Sequence, residues 1–251
     1  MTVADLKVFR PDDAPGGAAR RGGPVVVRTP VRVAEVTAER DMAVELPLPL
    51  HLLGPAGTVS VQLRTMLRRV AMGAGLARRT ELVEAVRAVP GLPGLVSSPA
   101  GGTFVVGGER WLGVAAIGTP PPGDALALDW MVGALRDWFN ARLAGIGVAG
   151  ALGRVEGAWC PGFSDLSAGG RKLAGLGFRV TKDWVVMRGV LAVQALDDAD
   201  LELLTALHAL IGVDVVRAAN TSLAEQTGDS SWTAEWAIAL LAAEDAPVLR
   251  G

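Results

Sequence analysis

Residues 156–193 read EGAWCPGFSDLSAGGRKLAGLGFRVTKDWVVMRGVLAV, and this stretch carries most of the structural information in the chain. Lys172–Val180 and Trp184–Val193 are both rich in apolar and β-branched residues, and the short polar sequence Thr181-Lys182-Asp183 separates them. Two such runs joined by a short polar turn predict a β-hairpin. Arg154–Trp159, which overlaps the start of this stretch, is a further strand candidate.

The same stretch places two opposite charges around a tight turn. Asp165 and Lys172 lie on either side of Gly169-Gly170, so neighbouring strands would bring a carboxylate and an ammonium close together. Side chains alternate along a regular strand, so Gly175 and Gly177 are expected on the face opposite Lys172. Glycines inside a strand often mark close approach by a ligand or another backbone. A lysine held there would stabilise negative charge on a carbonyl or phosphate oxygen; a solvated surface ion pair is the alternative.

The rest of the chain predicts short strands mixed with helices. Strand patterns cover Val25–Val33, Val59–Val70, Thr103–Val106 and Trp111–Ile117. Helices are expected to begin near three potential N-cap residues, Thr37, Thr80 and Asp124. Two more are expected to start at Asp197 and near Ser231. Because strands and helices do not alternate regularly, we predict an α+β fold with a mixed, mostly antiparallel sheet and packed helices.

Composition sets the domain organisation. Residues 1–24 include the run DDAPGGAARRGGP, whose proline, glycine and charge content predicts a flexible N-terminal arm. Residues 25–251 are then expected to form a single domain, which suits a chain of 251 residues.

Charge and cysteine content exclude several classes of protein. The 24 Lys and Arg residues nearly balance the 26 Asp and Glu residues, which disfavours a nucleic-acid partner. No apolar stretch reaches the roughly 18 residues of a transmembrane helix, and the polar N-terminus does not resemble a signal peptide. The single cysteine, Cys160, cannot form an internal disulfide. We therefore expect a cytoplasmic protein that acts on neither nucleic acid nor membrane.

One motif resembles the central motif of the lipoate–protein ligase and octanoyltransferase superfamily. The matching residues are Ser164-Asp165-Leu166 and, after the glycine turn, Gly170-Arg171-Lys172-Leu173-Ala174-Gly175. The resemblance places the essential lysine of the family at Lys172 and implies a biotin/lipoate-protein-ligase-like fold. It also implies that Asp165 and Gly175 contribute to substrate or nucleotide binding.

Three further segments resemble the family more weakly. Pro99–Val105 is similar to its glycine loop, which implies that Gly101, Gly102 and Thr103 lie against the acyl group. Met72-Gly73-Ala74-Gly75 is similar to an earlier strand end, and this implies a binding role for Gly73. Thr221-Ser222-Leu223 resembles the sequence that follows the last strand of the family.

The chain also departs from the family pattern. Ser97-Ser98 stands where two arginines are usual, Phe178 where ligases often have Gln or Tyr, and Arg188 where a histidine precedes a glycine. A guanidinium binds phosphate and carboxylate well, so Arg188 would restore positive charge to a substrate-binding site. These departures leave a non-catalytic binding protein of the same fold as an alternative.

Cys160 has two interpretations. A lone cysteine is most often a small buried apolar residue. One branch of octanoyltransferases, however, carries its acyl-accepting cysteine just upstream of its acidic triplet, and Cys160 resembles that layout with a shorter spacing. Lys172 would then supply the nearby cation that favours a reactive thiolate.

The resemblance implies an enzyme that attaches a lipoyl or octanoyl group to a lysine of a lipoyl carrier domain. Such domains belong to 2-oxoacid dehydrogenases and the glycine cleavage system. In a ligase, ATP and Mg²⁺ would activate lipoate as an adenylate while Lys172 polarises the carboxyl and Asp165 orders the metal or the lysine. In a transferase, Cys160 would accept the acyl group from octanoyl acyl-carrier protein without ATP. His51 and His208, far apart and without an acidic cluster, predict no resident metal site.

Overall fold

The computed structural model describes residues 26–28, 50–123 and 126–242. Its strands are β1 (Val26–Arg28), β2 (Thr58–Thr65), β3 (Val70–Gly73), β4 (Leu95–Ser98), β5 (Phe104–Val106), β6 (Trp111–Thr119), β7 (Gly150–Leu152), β8 (Leu166–Ala168), β9 (Arg171–Val180) and β10 (Val185–Ala192). Its helices are α1 (Ala74–Ala77), α2 (Thr80–Arg87), α3 (Ala127–Ala144), α4 (Asp198–Ala209), α5 (Leu223–Thr227) and α6 (Ala234–Ala242). The expected N-terminal arm, the helix start at Thr37 and the cap at Asp124 lie outside these ranges.

The strands form two sheets. Seven strands pair in the order β1-β2-β6-β10-β9-β8-β7, and three pair in the order β4-β3-β5. Within the described residues the large sheet is antiparallel except for the parallel pair β1 and β2, and in the small sheet β3 runs parallel to β4. The predicted α+β fold with a mixed, mostly antiparallel sheet is confirmed.

Each face of the large sheet carries its own apolar core. On one face, side chains of β2, β6 and β10 pack against α3 and α6, with Phe139 fully buried among them. On the other face, Trp111 and Val190 pack against the small sheet, α2 and α4. Burial of both faces explains why the central strands are apolar runs and not simple alternations. The second core also brings the two sheets together, and the cleft described below opens between them.

Several local predictions agree with the structure. β9 and β10 form the expected antiparallel hairpin, in which the Thr181 N–H donates to the Trp184 carbonyl at 2.9 Å. Asp197 caps α4, because its side chain accepts a hydrogen bond from the Asp200 N–H at 2.7 Å. This bond satisfies one of the backbone donors that a helix start leaves without an intrahelical partner.

Other local predictions are wrong. The run Val59–Val70 is not one strand: β2 ends at Thr65, and Val70 begins β3 in the other sheet. Alternation predicts that residues are half-buried but not which sheet they join. Thr80 is the first residue of α2, and Arg79 occupies the cap position.

Arg154–Trp159 is a loop and not a strand. The chain turns at Gly157, which has a φ of 73°. The Gly157 carbonyl accepts a hydrogen bond from Val216, outside the sheet, at 2.7 Å. Among the described residues, no helix combines the length and the apolar character needed to cross a membrane.

Candidate active site

A cleft opens between the two sheets and contains most of the residues that the sequence singles out. It is partly open to solvent, and its non-atom space, adjoining open solvent included, is about 540 Å³. The sequence-predicted site residues that line it are Gly73, Gly101, Gly102, Thr103, Cys160, Gly175 and Arg188. Lys172 and Asp165 are not part of this lining and lie buried beneath it.

The glycine loop at one side of the cleft rests directly on strand backbones. The Gly101 N–H donates to the Phe178 carbonyl at 3.3 Å. A Cβ atom on Gly177 would lie 2.3 Å from the Gly101 carbonyl oxygen, and a Cβ on Gly73 would lie 2.1 Å from that of Gly102. Backbone atoms cannot yield as a flexible side chain can, so these close approaches require glycine.

Lys172 and Asp165 form a buried ion pair. The Lys172 Nζ lies 2.8 Å from Asp165 Oδ1, and Asp165 Oδ2 accepts a hydrogen bond from the Gly162 N–H at 3.0 Å. Burial raises the pKa of Asp165, while the positive charge of Lys172 and the Gly162 hydrogen bond oppose that shift. The predicted juxtaposition across the Gly169-Gly170 turn is therefore present in the structure.

Lys172 also holds the turn that carries Cys160. Its Nζ donates to the carbonyl oxygens of Trp159 at 2.7 Å and of Cys160 at 2.6 Å. It lies 4.2 Å from the centre of the Trp159 ring, close enough for a cation–π contact. The two carbonyl oxygens and Asp165 together take up all three hydrogen-bond donors of the ammonium group.

A β-bulge decides which way Lys172 points. Leu166 pairs with Ala174 but Ser167 pairs with Lys172, so β9 has one extra residue, Leu173, opposite β8. A bulge interrupts the alternation of side chains. Lys172 consequently shares a face with Gly175, whose ideal Cβ would lie 3.1 Å from the Lys172 Nζ. The expectation that Gly175 and Gly177 face away from Lys172 is wrong for this reason.

Cys160 presents its sulfur to the cleft from a strained backbone. Its φ is 44°, and it is the one non-glycine residue with positive φ among those described. The Thr103 N–H donates to the Cys160 Sγ at 3.0 Å, and an ideal Cβ on Gly102 would lie 3.2 Å from that sulfur. Such strained residues are concentrated at functional sites, where the surrounding structure enforces the conformation.

His208 also supports the turn that carries Cys160, a role that the sequence did not predict. Its Nε2 accepts a hydrogen bond from the Cys160 N–H at 3.0 Å and lies 2.9 Å from the Thr103 Oγ1. Its Nδ1 lies 2.7 Å from the Leu204 carbonyl, which assigns the ring proton to Nδ1. The sequence could have indicated that His208 is buried, because it falls on the buried face of α4, one helical turn after Leu204.

The charge state of His208 follows from its surroundings. Burial lowers the pKa of His208 to about 4, and the positive charge of Lys172 acts in the same direction, against the opposing effect of the Leu204 hydrogen bond. The imidazole is therefore neutral near pH 7 and accepts through Nε2.

The segment Asn220–Leu223 closes the site from behind. The Thr221 N–H donates to the Lys172 carbonyl at 2.8 Å, and the Asn220 Oδ1 accepts from the Trp159 N–H at 3.2 Å. Ser222 then caps α5 by accepting from the Glu225 N–H. The weak motif at Thr221-Ser222-Leu223 thus lies against the lysine motif.

The cleft lining is basic. Arg64 and Arg188 both line it, and none of the described lining residues carries a carboxylate. Burial, followed by the charge of Arg64, lowers the pKa of Arg188 to about 9, so its guanidinium stays charged at neutral pH. With Asp165 buried against Lys172, this described lining does not fit a resident Mg²⁺, which binds through carboxylates or phosphates.

Comparisons with known proteins identify the fold. No protein-family model matches the sequence, and no curated protein matches it. Among solved structures, lipoate-protein ligase A bound with ATP is 16% identical with a TM-score of 0.49; the match covers 67% of this chain and 64% of that one. A bi-partite lipoate protein ligase with its E2 lipoyl domain from Thermoplasma acidophilum is 13% identical with a TM-score of 0.46, and the match covers 67% and 63%.

A third match covers a larger share of both chains. A T. acidophilum protein assigned as a lipoate protein ligase, with bound lipoic acid, is 14% identical with a TM-score of 0.50; the match covers 79% of this chain and 76% of that one. The chain spans about two thirds of the length of the first two structures. At such low identity the likeness concerns the fold, and the chain has the lipoate–protein ligase fold.

Proposed function

We propose that the protein is an acyltransferase that delivers a lipoyl-type or medium-length acyl group to a lysine of a lipoyl carrier domain. In this proposal Cys160 first receives the group as a thioester. The observation that carries it is the Cys160 Sγ in the cleft wall, at 3.0 Å from the Thr103 N–H and on a backbone with a φ of 44°. Strained backbone conformations are concentrated at functional sites, which supports a role for this buried thiol beyond packing.

The proposed reaction has two steps with the same chemistry. The Cys160 thiolate attacks the carbonyl of an acyl thioester, a new C–S bond forms, and the donor thiol leaves with the proton that Cys160 released. The carrier lysine, as a free amine, then attacks the Cys160 thioester. An amide forms, the C–S bond breaks, and the proton from the amine restores the thiol. This is nucleophilic catalysis that divides one transfer into two easier ones.

Lys172 supports this reaction from beneath the cleft. Its hydrogen bonds to the Trp159 and Cys160 carbonyls fix the turn that aims the sulfur, and Asp165 fixes the lysine. The glycine loop at Gly101 and Gly102 would lie along the bound acyl group.

An ATP-dependent ligase is the second candidate. The guanidinium of Arg188 in the cleft lining favours it, because guanidinium suits the phosphate of an acyl-adenylate. In that case Lys172 would leave one carbonyl partner to contact the activated carboxyl, and Cys160 would not be acylated. A non-catalytic binding protein of the same fold would show neither activity.

The test is the intact mass of the protein and of a lipoyl domain. With octanoyl-pantetheine or octanoyl acyl-carrier protein and no ATP, we expect one octanoyl group on the wild-type protein and then on the lipoyl domain. Hydroxylamine should remove the adduct from the protein, and Cys160→Ser should not form it.

The alternatives give different results in the same assay. ATP-dependent transfer of lipoate or octanoate by Cys160→Ala would establish the ligase and overturn the role of Cys160. No transfer under either condition by a folded wild-type protein would favour the binding protein. Arg136→Gln, an exposed change on α3 outside the cleft, is the matched control and should load octanoate normally.

A further inference from the structure

One row of residues crosses the floor of the cleft from β9 to β2. Gly175 of β9 pairs with Val190 of β10, Val190 with Gly113 of β6, and Gly113 with Arg64 of β2. Residues directly opposite one another in antiparallel strands point to the same face. Arg188 is in the next row, opposite Gly177. The row therefore begins at Gly175 of β9 and ends at Arg64 of β2, which carries a guanidinium.

Arg64 reaches back across the sheet towards the cleft. Its Cγ and Nε both lie 3.0 Å from the position of an ideal Cβ on Gly113, so its side chain lies over β6 in space that a larger residue would fill. β6 is two strands from β9, which corresponds to roughly 10 Å at ordinary strand spacing. The guanidinium of Arg64 is consequently remote from the Cys160 end.

The lining changes in character along this row. β9 contributes glycines, β10 contributes Val190 and Arg188, and Arg64 of β2 lies at the far end of the row. Two like charges lining one cleft create a positive potential that favours an anion there. An adenylate phosphate is bonded to the reacting carbonyl, so it would lie near Cys160 and away from Arg64 at the far end of the row.

We propose that the cleft selects an acyl group whose far end carries a carboxylate, bound by Arg64 and Arg188. The proposal rests on the proposed function and names its substrate class: a medium-length dicarboxylic acid held as a thioester at one end. The glycine floor takes the thioester, Val190 and Val105 contact the methylenes, and the guanidiniums bind the free carboxylate in charge-assisted hydrogen bonds.

Equilibrium binding to Cys160→Ser, which cannot be acylated on sulfur, tests this substrate class. Pimeloyl-pantetheine and octanoyl-pantetheine have acyl chains of equal length and an uncharged head; the carboxylate of the pimeloyl group stands in place of the terminal CH2–CH3 of the octanoyl group. By isothermal titration we expect pimeloyl-pantetheine to bind roughly tenfold more tightly or better. Arg64→Gln and Arg188→Gln should each abolish that preference, and the exposed control Arg136→Gln should keep it.

The comparison of the two thioesters does not depend on the arginine variants being folded. Equal affinity, or a preference for octanoyl-pantetheine, would overturn the proposal. Inorganic phosphate or AMP binding that is lost in Arg188→Gln, with no preference between the thioesters, would assign the arginines to a phosphate and also overturn it. If wild-type protein loads neither thioester onto Cys160 while Cys160→Ser still prefers pimeloyl-pantetheine, the acyl-transfer function fails and the dicarboxylate site stands.

Discussion

The ammonium nitrogen of Lys172 lies 2.8 Å from a carboxylate oxygen of Asp165, and neither side chain is more than 1% exposed. A pair withdrawn from water this completely differs from a surface ion pair, whose two charges remain hydrated. Removing one partner leaves the other charge buried with less compensation. The pair also lies directly behind the Cys160 turn, so its loss affects both the stability and the geometry of the cleft.

Lys172→Met should therefore lower the free energy of unfolding by about 3–5 kcal/mol, because it leaves the Asp165 carboxylate buried without its counter-charge. Urea denaturation measures this change. The double variant Lys172→Met/Asp165→Asn should recover part of the loss, since it removes the remaining charge. A loss below about 1 kcal/mol for the single variant, which is typical of solvated pairs, would contradict the prediction.

Gly177→Ala should displace the glycine loop. Its new Cβ would lie 2.3 Å from the Gly101 carbonyl oxygen, a contact that only movement of the backbone can relieve. We expect a destabilisation of about 1–3 kcal/mol and weaker loading of Cys160. Gly133→Ala on α3 is the matched control, because nothing lies within 4 Å of its Cβ position. The control should stabilise the protein by about 0.5–1 kcal/mol, and similar behaviour of both variants would refute the packing argument.

Comparing Cys160→Gly with Cys160→Ala separates the effect of losing the thiol from the effect of the backbone strain. Both remove the sulfur, but only glycine adopts a φ of 44° without steric cost. Thermal or urea unfolding should show Cys160→Gly to be more stable than Cys160→Ala by about 1 kcal/mol. The reverse order, which the intrinsic flexibility of glycine alone would produce, would mean that the residue is not strained.

Stability should depend on pH through His208, whose pKa falls from 6.5 to about 4 on folding. Above about pH 6.5 the ring is neutral in both states and contributes nothing. Between pH 6.5 and 4 the unfolded chain binds a proton that the folded chain does not, so stability falls with falling pH by up to about 1.4 kcal/mol per unit.

The control for this pH dependence is His208→Asn, measured by urea denaturation from pH 4 to 7. In that window the free energy of unfolding of the variant should change less steeply with pH than that of the wild type, by the equivalent of about one bound proton. Asp165, whose raised pKa acts in the opposite direction, is present in both proteins, so their difference isolates His208. Identical slopes would show that His208 is accessible to protons in the folded state.

The local features of the chain could be predicted because they depend on neighbours in sequence. The hairpin of β9 and β10 follows from two apolar runs around Thr181-Lys182-Asp183, and the start of α4 follows from the capping chemistry of Asp197. The approach of Asp165 to Lys172 follows from a two-glycine turn. Each of these involves residues separated by a few positions or joined by one short turn.

The sequence by itself determined the α+β class, the hairpin, the lysine motif and the glycine loop, since each depends on residue types at short spacing. The tertiary structure alone decided the direction of Lys172, because a single extra residue in β9 opposite β8 reverses the strand alternation. It also decided the contact of His208 with Cys160 and brought Arg64 and Arg188 into the lining of one cleft. These pairs join residues from 48 to more than 100 positions apart, and their positions are set by how the sheets and helices bury their apolar faces, which no local pattern specifies.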